Sequence, residues 1–148
     1  MQSLPSRRTS PVPRLLLDTC AIIWIALDEP IKPAARAAMR EASQTGQPVS
    51  VSPISAWELG LLSARGRLSA TQSAGAIFAD VLATSGVRVE ALTPGILIDA
   101  SFLPGRLHRD PADRILITTA RALDLTLVTR DEAILDYAEQ GHVRALAC

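Results

Sequence analysis

"PADRILITTARALDLTLVTRDEAIL", residues 111–135, reads as a helix, a strand and the opening of a second helix with almost nothing between them. Asp110, Pro111 and Asp113 make a helix start: a capping acid, a proline at the first helical position and an acid at the third. The helix over 111–123 runs into the short apolar strand LTLVT (125–129), and a helix follows from Glu132 to about Glu139. The same alternation extends outward in both directions. RLLLD (14–18) is a buried strand followed by an apolar helix from about Ala21 to Leu27. Pro33 opens a second helix that reaches about Gln44. VSVS (49–52) is a strand, Pro53 marks the next helix start, and ISAWELGLLSARG runs to a glycine stop at Gly66. A helix over 70–84 ends at Gly86, VRVEAL (87–92) alternates as a strand, and Thr93 caps a short helix that begins at Pro94. HVRAL (142–146) closes the chain as a last strand. Strands alternating with helices argue for a parallel sheet covered on both faces.

The chain has 148 residues, 48% of them hydrophobic, which is enough for one domain with a core of its own. Residues 1–13, with three prolines and Arg7 and Arg8, read as a loose tail ahead of a single domain over 14–148. The formal net charge of +0 excludes bulk attraction to nucleic acid but leaves room for a local basic patch. Cys20 and Cys148 are the two cysteines, which is neither a disulfide framework nor a zinc pattern, so a cytoplasmic, reducing setting is expected. No stretch reaches transmembrane length, and no membrane partner is expected.

Four acids share a position in this pattern. Asp18 closes the first strand, Glu58 lies about two turns into the helix after VSVS, Asp113 opens the 111–123 helix, and Asp131 follows LTLVT by two residues. In a parallel sheet the carboxyl ends of the strands share one edge, and ligands bind there, where strand order reverses. Each acid also has a local reading. Asp18 and Asp131 fit helix caps, while Asp113 and Glu58 fit the acid of a capping box. Together they suggest more. Crowded carboxylates repel, and a hard divalent cation with oxygen ligands is the simplest remedy. Such ions keep waters that can be turned on a phosphodiester. His108 and His142 are the only histidines, so no histidine cluster competes and a catalytic zinc site is not expected. The chain lacks GxxxxGK[ST], GxGxxG and GxSxG motifs, and Asp18 argues against Cys20 as a nucleophile.

"LLLDTCAIIW", "VSPISAWELG", "LHRDPADRILITTAR" and "LTLVTRDEAI", in this order and spacing, resemble the PIN domain, and within it the VapC-like toxins of bacterial toxin–antitoxin pairs. The resemblance covers about residues 14–146. It implies a three-layer α/β/α sandwich around a parallel five-stranded sheet of order 3-2-1-4-5. It also implies a metal-dependent ribonuclease that uses Mg2+ or Mn2+ to hydrolyse RNA. The family's acidic quartet falls on Asp18, Glu58, Asp113 and Asp131, with Asp18 and Asp113 as direct ligands and Glu58 and Asp131 holding the ion directly or through water. Thr19 and Thr129 resemble the hydroxyl residues that orient such a network, and Asp110 resembles a cap more than a ligand. Cys20 stands where the family often has histidine, and Thr118-Thr119-Ala120 where it often reads AQA; neither departure removes a carboxylate.

The resemblance further implies a homodimer and a small cognate antitoxin whose tail lies in a groove near the acids. Ile22, Ile23, Trp24, Leu27, Trp57, Leu61 and Leu62 are apolar residues for either such a groove or the domain's own core, with Trp57 expected in the core. Arg65, Arg67, Arg106, Arg109, Arg114 and Arg130 flank the acidic motifs and are candidates for RNA phosphate. Of these, Arg114 has the alternative of pairing with a ligand carboxylate. Aromatic residues are only 3% of the chain, so no base-stacking platform is evident. Two other functions fit the same motifs: a catalytically weak module of the same fold that binds RNA or an antitoxin, and a DNA-directed nuclease.

Overall fold

The computed structural model describes residues 12–68 and 72–148. The expected tail lies outside these residues except for Val12 and Pro13, as does the first part of the expected 70–84 helix. In chain order the elements are β1 (Leu15–Leu17), α1 (Thr19–Ala26), α2 (Pro33–Thr45), β2 (Val49–Val51), α3 (Pro53–Ala64), α4 (Ala74–Ala83), β3 (Val87–Val89), α5 (Pro94–Asp99), α6 (Pro111–Leu123), β4 (Thr126–Thr129), α7 (Glu132–Glu139) and β5 (Arg144–Ala147). The five strands form one parallel sheet of order β3-β2-β1-β4-β5, as the resemblance implies.

The central strand shows why the sheet needs two covers. Leu15, Leu16 and Leu17 are all buried, and successive side chains point to opposite faces. Leu15 and Leu17 join Ile22 of α1, Ala35 and Ala42 of α2, Leu59 of α3 and Ile77 and Val81 of α4 in one apolar layer. Leu16 joins Leu116, Ile117 and Ala120 of α6 and Ile134 and Tyr137 of α7 in the other. The result is a three-layer α/β/α sandwich. Strand order reverses at β1, whose neighbours are β2 on one side and β4 on the other. The carboxyl ends of β1 and β4 therefore flank a crevice of the kind in which parallel sheets hold ligands.

Local signals set most of the boundaries. Ser52, Ser73 and Thr93 each accept a backbone N–H at the start of α3, α4 and α5. The Ser73 cap places the start of α4 later than the composition suggests. α3 stops at Ala64, two residues before the left-handed Gly66. Among the described residues no helix is long and apolar enough to cross a membrane.

One expectation about an apolar side chain is corrected, and one open alternative is resolved. Trp57, expected in the core, is 53% exposed, because α3 turns Ser55 and Leu59 inward and leaves the intervening position outside. Ile22, a candidate for the groove, is fully buried beneath α1. Trp24 packs partly against the core, with the Arg130 guanidinium 3.5 Å from its ring centroid.

The loop between α5 and α6 is held by long-range contacts. Tyr137 donates its hydroxyl to the Pro104 carbonyl. Gly105 has φ +70°, and a Cβ built there would lie 2.8 Å from His142 Nε2, so only glycine suits the bend. Arg114 donates from Nε to the Ala100 carbonyl at 2.8 Å and from Nη1 to the His108 carbonyl at 3.4 Å. This loop carries His108 toward the crevice.

Candidate metal centre

Asp18 sits immediately after β1 and caps α1, accepting the Ala21 N–H on Oδ1 at 2.7 Å. It is only 5% exposed. Burial is the main cause that lifts its carboxyl pKa to about 6. Asp131 pushes the same way, while the Thr129 hydroxyl, the Ala21 amide and Arg130 oppose. Asp131 follows β4 and caps α7, accepting the Ile134 N–H on Oδ1 at 3.0 Å. For both acids the cap engages Oδ1. Thr129 links the two: its hydroxyl holds Asp18 and accepts the Asp131 N–H at 3.0 Å.

Glu58 is not a capping acid. α3 starts at Pro53 under a Ser52 cap, so Glu58 lies well inside the helix, half-buried. It accepts a short hydrogen bond from the Thr19 hydroxyl, and Thr19 Oγ1 lies 3.0 Å from Ser55 Oγ. A hydroxyl has one proton to give, so with that proton on Glu58 the Ser55 hydroxyl supplies the other bond. Burial raises the Glu58 pKa above its ordinary value, the Thr19 bond opposes this, and Asp110 and Asp18 add to the rise.

Asp113 occupies the third position of α6, whose cap is Asp110; Asp110 Oδ1 accepts the Asp113 N–H at 3.0 Å. The reciprocal bond of a capping box is not made. The Asp110 N–H turns instead to His108 Nδ1, at 3.3 Å. Asp113 is therefore left for the crevice. Burial first, and then the charges of Asp110, Asp131, Glu58 and Asp18, lift its pKa to about 7. Two carboxyls raised into the neutral range mark a site where negative charge is crowded and poorly hydrated.

His108 completes the cluster and is the residue that sequence reasoning missed. Its Nε2 lies 3.3 Å from Asp113 Oδ2. One ligand atom each from His108, Asp113 and Asp131 lie within 4.8 Å of one another, close enough to coordinate a single metal ion. A single histidine joins the acids here, brought in by the Pro104–Gly105 bend from outside any helix or strand. The donor set is chiefly carboxylate oxygen, with Asp18 and Glu58 electrostatically coupled to Asp113, and such a set fits a hard divalent ion. Asp110 serves as the α6 cap, as expected.

The basic residues divide into two groups. Arg130 donates from Nε to the Cys148 carbonyl at 2.9 Å and from Nη2 to the Pro30 carbonyl at 2.7 Å while it stacks on Trp24. Arg114 is held by two carbonyls and forms no ion pair with Asp113. Both are thus engaged in fixing the loops around the site. Arg65 caps the carboxyl end of α3, and it and Arg67 are exposed. Desolvation and the surrounding Asp18, Glu58 and Asp113 push the Cys20 thiol up to about 12, which removes it as a nucleophile near neutral pH.

Known proteins share this architecture. A chain of VapBC2 from Rickettsia felis, solved bound to a DNA fragment from their promoter, matches with a TM-score of 0.63 and 13% identity over 90% of this chain and 97% of that one. VapBC-1 from nontypeable Haemophilus influenzae matches with a TM-score of 0.57 and 20% identity over 90% and 96%. FitAcB from Neisseria gonorrhoeae matches with a TM-score of 0.51 and 22% identity over 89% and 96%. At these identities the likeness establishes a shared fold. No curated protein matches the chain. The family profile described as PIN domain matches residues 15–140, from β1 through α7, and so takes in all four acids. With the profile spanning most of its length, this chain belongs to the PIN domain family.

Proposed function

We propose that the chain is a Mg2+- or Mn2+-dependent endoribonuclease that hydrolyses RNA phosphodiesters and acts as a cytoplasmic toxin neutralised by a cognate antitoxin. The observation that supports this reading is the grouping of Asp113 and Asp131 with His108, one ligand atom of each within 4.8 Å of the others, beside Asp18 and Glu58, whose charges help to raise the Asp113 carboxyl to about 7. Holding such charges together without a cation is unfavourable, and a site organised at that cost is organised for an ion. Asp18 and Asp113 are proposed as direct ligands, and Glu58 and Asp131 as ligands or as acceptors for coordinated water. Thr19 fixes Glu58, and Thr129 ties Asp18 to Asp131. The ion, when bound, supplies an activated water and neutralises charge that develops on the phosphate. The exposed face of α3 around Trp57 and the half-buried Leu61 and Leu62 is available to the antitoxin or to a second copy of the chain.

Cleavage of total RNA by the purified, antitoxin-free chain is expected in Mg2+ or Mn2+. It should disappear in excess chelator and return when the ion is restored. Robust cleavage in chelator would contradict the proposal.

Substrate binding should depend on salt although the net charge is +0. Arg65 lies seven residues beyond Glu58 on or at the end of α3, roughly 10 Å along the axis at ~1.5 Å per residue. An arginine there can reach a phosphate next to the one being cut. Replacing Arg65 and Arg67 together should lower the salt-dependence exponent for single-stranded RNA by up to about 1.4, at ~0.7 per phosphate contact. An unchanged exponent in binding isotherms would remove this pair as phosphate contacts.

A further inference from the structure

We propose that His108 acts in the site as a hydrogen-bond donor to the substrate phosphate and not as a ligand of the metal. The inference rests on the ribonuclease reading and assigns a substrate-contacting role to a residue outside the acidic quartet. Its basis is the pair of contacts the imidazole makes. Nδ1 accepts the Asp110 N–H at 3.3 Å, and a nitrogen that accepts a hydrogen bond carries no proton. The neutral ring then has its proton on Nε2, which faces Asp113 Oδ2 at 3.3 Å. Ligation through Nε2 would need the opposite tautomer. A proton on Nδ1 would then point at the Asp110 amide proton, two donors facing each other at the mouth of α6.

The setting supplies a reason for such a donor. Four carboxylates repel the phosphate they are to act on, so a donor beside them eases its approach. Arg114 and Arg130, the basic residues nearest the acids in sequence, each donate two hydrogen bonds to backbone carbonyls. His108 Nε2 instead faces Asp113 Oδ2 at 3.3 Å, and the imidazole groups with Asp113 and Asp131, one ligand atom of each lying within 4.8 Å of the others. When Asp113 serves as a ligand, its oxygen has a stronger partner, and the Nε2–H is free for a non-bridging phosphate oxygen. The ring is also held in place for that task. Arg114 grips the His108 carbonyl, Tyr137 grips the Pro104 carbonyl, and Gly105 lies against the His142 ring. A donor fixed before the substrate arrives needs no reorganisation during the reaction.

The test compares His108→Ala and His108→Gln with wild type, after circular dichroism and melting show each variant folded. Two quantities are measured: Mn2+ affinity of the RNA-free protein, and kcat/KM on a short RNA carrying a site that the wild type cuts in total RNA. His108→Ala should keep Mn2+ affinity within about twofold and lose about 100- to 1,000-fold in kcat/KM, as removal of a single fixed donor does. His108→Gln, which can present an N–H at a similar reach, should recover part of the loss. A tenfold or greater weakening of Mn2+ binding in His108→Ala would overturn the inference in favour of a ligand. Unchanged kcat/KM would overturn it outright. Both results leave the ribonuclease reading intact, whereas a wild type that neither binds Mn2+ nor cuts RNA overturns both.

Discussion

Asp113→Asn is expected to reduce RNA cleavage by about 100-fold or more while leaving the metal-free fold as stable as before, or more stable. Loss of a residue that merely supports a ligand costs about 10- to 100-fold in affinity or activity, and loss of a ligand should exceed that. The stability half of the expectation has a separate cause. Burial and the charges of Asp110, Asp131, Glu58 and Asp18 all disfavour a charge at Asp113. Asparagine removes that charge at nearly the same size. The charge also sits in the first turn of α6, where it gains about 0.3–1 kcal/mol from the helix dipole. Repulsion from several carboxylates in a poorly hydrated crevice outweighs a contribution of that size. The α6 cap survives the change, because Asp110 supplies it and needs only the backbone N–H of residue 113. Melting with and without Mn2+, beside cleavage rates at saturating RNA, measures both halves. A purely structural acid would give the reverse pairing, with activity per folded molecule kept and stability slightly lowered.

The metal-free protein should become more stable as pH falls from about 7.5 to about 5. Asp18 and Asp113 have folded-state values of about 6 and about 7, against an ordinary value of 3.8. Between these limits the folded chain holds protons that the unfolded chain has released. The contribution is therefore fully present below about pH 4 and is lost as pH rises through 6 and 7. At ~1.4 kcal/mol per pH unit, Asp18 acting alone would account for roughly 1.4 kcal/mol between its folded value of about 6 and pH 5. The two acids do not simply add, since protonating one relieves the other. For a chain of this length roughly 1.4 kcal/mol corresponds to roughly 3–6 °C in melting temperature. Saturating Mn2+ should stabilise the protein most at the high-pH end, where its ligands are free of protons, and so flatten the profile. Melting curves across this range check the sign. Stability that falls on acidification from 7.5 to 5 would mean that the acids are not crowded as described.

The parts of this molecule that were legible in the sequence are those whose cause is local. The strand LLL ends in an acid because the chain leaves the sheet there and the next helix needs a cap, so Asp18 announces both the boundary and the site. Asp131 repeats the device after β4. The sheet order followed from the resemblance and not from any residue taken singly. What could not be read depended on contacts between distant segments. His108 lies in a loop without periodicity, and its approach to Asp113 is set by Tyr137, His142 and Arg114 acting across that loop. Arg130 looks like a phosphate contact in the sequence because it precedes an acid. Its partners, the carbonyls of Pro30 and Cys148, are 100 and 18 residues away along the chain. In "ISAWELGLL" nearly every position is apolar, so the pattern does not say which face of α3 is outward, and the exposure of Trp57 is hidden for that reason.

The measurement that bears most directly on metal-dependent hydrolysis is the chemistry of the RNA ends left by the purified wild-type chain in Mn2+. Attack by water leaves a plain hydroxyl on one side of the cut and a terminal phosphate on the other, and in 18O-labelled water that phosphate acquires one labelled oxygen. This is the expected result, with both cleavage and label lost on chelation. A 2′,3′-cyclic phosphate without solvent label would mean that the ribose 2′-hydroxyl was the nucleophile, and it would contradict the proposed role of Asp18, Glu58, Asp113 and Asp131 in holding an ion that activates water.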